Sequence, residues 1–129
     1  MAWDRIPGGS DLLRVLGPEP NFGDAAIVSV ELASETCRLL IETVLSAKAP
    51  RVRVAFELTG LIALSLEKAE GPDILDGLTV RVLPERTVVD DTRSGWRTGS
   101  LTELTLFALS GLRGSITARV LSVSIASID

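Results

Sequence analysis

The feature that most constrains this chain is the alternation of apolar and mostly polar side chains over residues 51–59. Every even position there is apolar: Val52, Val54, Phe56 and Leu58. Successive side chains of a β-strand point to opposite faces of a sheet, so a period of two predicts a central strand with one buried face. Several later segments repeat the alternation, which favours a shared sheet whose apolar face packs against another layer.

The patterning as a whole predicts a mainly β fold (α+β at most), an antiparallel sheet of about six to eight strands with one short N-terminal helix. We expect that helix at residues 11–16, with Ser10 as its N-cap and Gly17 just past its end. A first strand is predicted at residues 25–32. Residues 36–46 fit a strand face and also a helix face, and we prefer a strand because a short connection favours a hairpin.

The second half of the chain continues the same pattern. Gly60 indicates a break, after which residues 61–66 are expected to run back against the central strand and residues 67–73 to form a polar loop. Further strands are predicted at residues 74–82 and 101–109, and a last strand follows a turn at residues 111–114. The apolar parity of that last strand changes near Val120 and Leu121, as a β-bulge produces. Residues 84–100 predict a long connection, with a short strand at residues 87–89.

The charge balance bounds the class of partner. The 129 residues carry 13 Lys and Arg against 17 Asp and Glu, a formal net charge of -4, and the pI is about 4.8. Such a surface repels nucleic acid and anionic lipid, so we expect neither as a partner, and a basic protein is the natural complement. The length fits a single domain over residues 1–129. Because no leader pattern and no run of about 18 apolar residues is present, we expect a cytoplasmic protein.

The residue inventory narrows the possible chemistry. The chain has no histidine, which excludes histidine-based catalytic triads and metal sites. Cys37 lies in an apolar alternating stretch without a nearby cluster of cations, which favours a core thiol over a reactive one. Asp90 and Asp91 are adjacent acids, and two carboxylates favour a solvated loop over a cation site. We therefore expect neither an enzyme nor a metal or other cofactor.

A stretch near the N-terminus resembles a known family. The residues that carry the resemblance are Trp3, the short apolar helix, Gly17, Pro20, Phe22, Asp24, Ala25 and Ile27. They are similar to the opening of immunity protein family 50, whose members carry a Pro-x-Phe-His-Asp-Ala-Glu-Ile type of motif leading into the first strand. Gly23 and Ala26 stand here where the family has histidine and glutamate. The resemblance implies a non-enzymatic bacterial immunity protein that binds and neutralises a cognate polymorphic toxin.

Two acidic loops are the predicted partner-binding surface, because binding residues concentrate in loops and negative charge would steer a basic toxin. The first contains Glu67, Glu70, Asp73 and Asp76, and the second contains Asp90, Asp91 and Trp96. Trp96 is either a lid on the core or an exposed anchor for the partner. The alternative is a pair of solvated loops that only keep the protein in solution.

Within the motif, we expect Phe22 to be buried and the Asp24 carboxylate to accept backbone N–H groups that close the turn into the first strand. Two other functions stay open. One is a structural or homo-oligomerising β domain that buries a sheet edge or face in a second copy, giving a homodimer. The other is a small-molecule-binding protein or enzyme that uses Asp24, Arg51 and Arg53.

Overall fold

An antiparallel six-stranded sheet forms the body of the protein, in a computed structural model that describes residues 2–18, 20–44, 51–83, 89–90, 95–96 and 101–127. Its strands are β1 (Ala26–Ala33), β2 (Thr36–Val44), β3 (Arg51–Ala69), β4 (Gly77–Leu83), β7 (Leu101–Phe107) and β8 (Gly111–Ser127), and β5 (Val89–Asp90) pairs with β6 (Gly95–Trp96) in a separate ribbon. The spatial order is β1-β2-β3-β8-β7-β4. Helix α1 (Gly9–Leu16) and a 3-10 turn (Ala2–Arg5) are the helical elements of the described residues. The predicted mainly β fold with a short N-terminal helix is confirmed.

The two long strands, β3 and β8, join the halves of the sheet. Residues 51–59 of β3 pair with β2 on one side and β8 on the other. Residues 61–69 pair with β8, whose residues 114–118 pair in turn with β7. Between the halves Gly60 has a φ of 70°, and an extra residue, Ile62, shifts the register. Bends and bulges of this kind let a strand pass from one layer of a sheet into another.

The prediction that residues 61–66 form a separate, returning strand is wrong. Gly60 bends the chain without reversing it, because its positive φ turns the backbone while pairing with β8 continues on both sides. The stem of Arg119 packs over this position, where a Cβ would lie 3.0 Å from Arg119 Cδ. Residues 67–69 consequently belong to β3 and not to the predicted polar loop.

The change of face predicted in the last strand is present. Ala118 and Leu121 are both buried although three positions separate them, and Val120 between them is half-exposed. The β-bulge itself is not in β8. The pairing between β3 and β8 is regular near Val120, and the extra residue is Ile62 of β3. The predicted turn at residues 111–114 is also wrong, since β8 begins at Gly111.

Other boundaries shift by a few residues. The described part of the ambiguous stretch, residues 36–44, is strand β2. Ser10 is not an N-cap, because α1 begins at Gly9. The chain just before the helix is held on β8 by a hydrogen bond of 2.9 Å from Val123 N–H to the Pro7 carbonyl oxygen, and this docking sets where the helix can start.

The strand predicted at residues 74–82 begins at Gly77. Ile74 instead forms an isolated antiparallel bridge with Ala26 at the start of β1. The bridge draws one edge strand of the sheet towards the segment that precedes β4, the other edge strand.

One hydrophobic core joins the N-terminal segment to both halves of the sheet. Trp3, Phe22 and Phe56 form its aromatic centre, with ring centroids 5.9 to 6.2 Å apart. Phe22 is 2% exposed, as predicted, and Leu12 of α1 is fully buried. Each such side chain contributes roughly 1.5–3 kcal/mol by burial. The aromatic residues of the N-terminal motif therefore stabilise the fold.

Candidate functional site

The first predicted acidic surface is largely engaged in contacts within the protein. Glu67 lies in β3, and its Oε1 accepts from Arg113 Nε at 2.8 Å. Asp73 accepts the Leu112 backbone N–H at 3.0 Å and lies 3.5 Å from Lys68 Nζ. The carboxylates of Glu67 and Asp73 are therefore already paired with groups of this protein.

Asp76, like Asp73, accepts a main-chain N–H of a distant segment. Its Oδ2 accepts the Leu109 backbone N–H at 2.9 Å, and its own N–H donates to the Phe107 carbonyl oxygen at 2.7 Å. Together with Asp73 it secures the turn between β7 and β8. Glu70 is exposed, and its side chain makes no hydrogen bond or ion pair with the described residues. Of the four acids predicted for this loop, Glu70 alone keeps a carboxylate open to solvent and uncompensated.

The second predicted surface is described only in its backbone. Asp90 lies in β5 and Trp96 in β6, and the register pairs Val89 with Trp96 and Asp90 with Gly95. Asp91 lies outside the described residues. The structure therefore brings the main chains of Asp90 and Trp96 close together.

The turn before β1 is closed differently from the prediction. The side-chain oxygen of Asn21, Oδ1, accepts the Gly23 N–H at 2.8 Å. We expected the Asp24 carboxylate to accept a main-chain N–H of this turn. Asp24 contributes through its main chain instead, with a φ of 65° and an N–H that donates to the Leu75 carbonyl oxygen at 2.8 Å. Its side chain is exposed and accepts no hydrogen bond from the described residues. The predicted carboxylate role is wrong because Asn21, two residues before Gly23, already satisfies the turn.

The two arginines considered for small-molecule binding share one carboxylate. Arg53 Nη2 lies 2.5 Å from Glu42 Oε1, and Arg51 Nη1 lies 4.0 Å from Glu42 Oε2. Glu42 and Arg53 are directly paired across β2 and β3. The guanidinium groups of Arg51 and Arg53 are thus directed towards Glu42. No described contact joins either arginine to Asp24.

The outer face of the sheet has a depression of about 290 Å³ where β1, β2 and β3 lie side by side. We call it the outer depression. Its exposed lining residues are Glu31, Ala33, Thr36, Arg38, Glu57 and Thr59, and the core residues Cys37 and Leu58 complete its floor. The register explains the cluster, because Arg38 is paired with Glu31 on one side and Glu57 on the other.

The electrostatics of the outer depression favour a cation. Arg38 Nε lies 3.7 Å from Glu57 Oε1, and both side chains are more than half exposed, so their pairing contributes at most about 1 kcal/mol. The Glu31 side chain has no ion pair or hydrogen bond with the described residues. Two carboxylates against one guanidinium leave an excess negative charge. Val120, half-exposed and paired with Thr59, adds apolar surface beside it.

No pattern in the sequence points directly to the outer depression. Alternation places Arg38 and Glu57 on the outer face, but the order of the strands decides that they are neighbours. The outer depression combines two carboxylates, a guanidinium, hydroxyl groups and apolar surface, all of which can make contacts with a bound partner. Thr36 Oγ1 donates to the Ala33 carbonyl oxygen at 2.8 Å, which leaves its lone pairs available as acceptors.

Cys37, beneath the outer depression, is a buried free thiol, as its position in an apolar alternating stretch predicts. It is 1% exposed, and burial raises the pKa of its thiol, which keeps it in the unreactive protonated form. The described residues contain no group of three or more Cys, Asp or Glu side chains placed to hold a metal ion. None of the helices in the described ranges is long and apolar enough to cross a membrane.

Comparison of the chain with protein-family models, with curated proteins and with solved structures gives no match.

Proposed function

We propose that this protein is a non-catalytic, immunity-type protein that binds and neutralises a cognate bacterial toxin, and that a basic surface of the toxin docks on the outer depression. The observation that carries the proposal is the lining of that depression, in which Glu31 and Glu57 outnumber the single cation Arg38. The resemblance of residues 3–27 to immunity protein family 50 supports the class of function. The net charge of -4 supports a basic partner.

The weak pairing inside the depression suits exchange of partners. The contact between Arg38 and Glu57 spans 3.7 Å and is exposed to water, so a lysine or arginine of the toxin can pair with Glu57 at little cost. Glu31 offers a second carboxylate in β1, on the other side of Arg38 from Glu57. Negative charge at the rim of an interface raises the association rate, whereas apolar contacts such as that of Val120 slow dissociation.

The proposal places the protein in the cytoplasm, where an immunity protein meets a toxin that acts inside the cell. It requires no cofactor, no nucleic acid and no membrane. Blocking by direct binding needs only a complementary surface on a rigid element, and in this proposal that element is the part of the sheet formed by β1, β2 and β3.

Co-expression with the product of the neighbouring gene, followed by affinity capture, tests the function. We expect a stable complex and loss of the toxin's activity. Failure to bind or to neutralise that product, with the fold intact by circular dichroism, contradicts the proposed function itself.

Charge reversal tests the docking surface. Glu57→Lys should slow association with the toxin and flatten its dependence on salt, because it removes the attraction and leaves two cations in the depression. Glu70→Lys is the matched control, since Glu70 is also exposed but lies outside the depression. If Glu70→Lys slows association more than Glu57→Lys does, the first acidic loop is the docking surface and the outer depression is not.

A further inference from the structure

Residues 62–68 of β3 form an open strand edge within the part of the chain that the structure describes. β8 pairs with them on one side. On the other side β2 ends where Thr36 pairs with Thr59, and its turn reaches only Leu61, whose N–H donates to the Glu35 carbonyl oxygen at 3.0 Å. Two apolar side chains stand at this edge, with Ile62 47% and Leu64 42% exposed. An edge with open amide groups and exposed apolar side chains is a template for another strand.

The other edges of the sheet are less suited to a second copy. The β1 edge is engaged at its start by the bridge from Ala26 to Ile74, and two uncompensated acids, Glu31 and Glu35, lie on or beside it. β4, the other edge strand, is in contact with the 3-10 turn. The charges of the β3 edge, by contrast, cancel, because Glu67 is followed directly by Lys68.

We propose that residues 62–68 pair antiparallel with the same residues of a second copy, about a two-fold axis at Ser65, so that the two sheets become continuous. Ser65 is the midpoint of this edge. The symmetry then sets Leu64 opposite Leu66, Ala63 opposite Glu67 and Ile62 opposite Lys68. Directly opposed side chains share a face of the sheet, so the leucines extend the core face and the stem of each lysine covers an isoleucine.

Overlap along the whole edge favours the register centred on Ser65, and charge excludes the registers centred on Glu67 or Lys68. No two like charges oppose one another when Ser65 is at the centre. A register centred on Glu67 would oppose two carboxylates, and like charges directly opposite destabilise a strand pair. The interface is isologous, as a two-fold dimer requires.

Sedimentation equilibrium over a wide concentration range tests the association. The apparent mass should rise from 13.7 kDa towards twice that value. Leu64→Lys should weaken dimerisation roughly tenfold or more, because the new cation lies diagonal to Lys68 of the other copy. Val120→Lys is the control, since it adds the same charge at a residue that is 50% exposed but away from the edge. A wild-type protein that stays monomeric throughout, or equal dimerisation of Leu64→Lys and wild type, overturns the proposal.

Disulfide cross-linking tests the register. Opposed β residues have a Cα separation within the range that a disulfide spans, so Ser65→Cys should give a covalent dimer on mild oxidation with diamide. Ala63→Cys faces Glu67 and should react far more slowly. Thr79→Cys, exposed at the opposite end of the same cross-strand row, should not react. Cys37 is buried and stays silent in the parent chain. Equal cross-linking of all three variants means random collision and refutes the register, whatever the outcome of toxin binding.

Discussion

Gly114→Ala should be among the most damaging single-methyl additions in this protein. Gly114 lies in β8 with a φ of 135°, and a Cβ built on it lies 1.9 Å from the Ser65 carbonyl oxygen and 2.9 Å from Leu66 Cα. Real Cβ atoms essentially never approach within 3.0 Å, so β3 and β8 must separate by about 1 Å at a point where they are paired. We expect a loss of about 2–4 kcal/mol in the free energy of unfolding, from backbone strain and from weakened ladder hydrogen bonds.

Two further glycines separate the cost of a positive φ from the cost of a close contact in the free energy of unfolding. Gly17 has a φ of 96° and no atom within 4 Å of a built Cβ, so Gly17→Ala measures the penalty of positive φ alone, about 1 kcal/mol. Gly77 has open space and no positive φ, so Gly77→Ala should change stability by less than about 1 kcal/mol. Urea unfolding followed by circular dichroism at low protein concentration gives the midpoints and slopes. If Gly114→Ala loses no more than Gly17→Ala, the two strands yield freely and the reasoning from close contact is wrong.

Three other predictions use the same unfolding assay or a simple chemical probe. Asp73→Ala should lower the free energy of unfolding by about 1–3 kcal/mol, because the half-buried Leu112 N–H loses its acceptor, while exposed Glu70→Ala should be neutral. Phe22→Ala should lose about 3–5 kcal/mol by leaving a cavity in the aromatic centre, and a loss below about 1 kcal/mol contradicts that packing. Since burial raises the pKa of the Cys37 thiol, its alkylation near about pH 8.5 should be much slower than in urea, and equal rates would contradict its burial.

The strands were predictable where alternation alone decides them. Residues 51–59 have a buried even parity in the structure, as their pattern requires. Gly60 was misread because a glycine in sequence does not distinguish a reversal of the chain from a bend within a strand. What decides between them is pairing with β8, whose partner residues lie about sixty positions away in the chain, roughly from Thr117 to Arg119.

The candidate site was harder to predict than the fold. In a polar stretch of sequence, a carboxylate that faces solvent cannot be distinguished from one that accepts a main-chain N–H. Asp73 accepts from Leu112, 39 residues away, and that contact depends on the bridge and turns that bring the two segments together. The outer depression has the same origin, since the pairs of Arg38 with Glu31 and Glu57 exist only once β1, β2 and β3 are aligned.

The two proposed surfaces should respond to salt in opposite directions. A second copy added at residues 62–68 lies in the plane of the sheet, whereas a toxin bound at the outer depression lies on its face. One molecule can therefore bind a second copy and a toxin at the same time. Bringing two copies together opposes charges of -4 each, and screening reduces that repulsion, so added salt should strengthen the dimer. Docking of a basic toxin on Glu31 and Glu57 relies on attraction, so the same salt should slow its association. Measuring both from low salt to about 0.5 M separates the two, because the Debye length falls below about 5 Å over that range; a parallel response in both assays would show that they report one and the same surface.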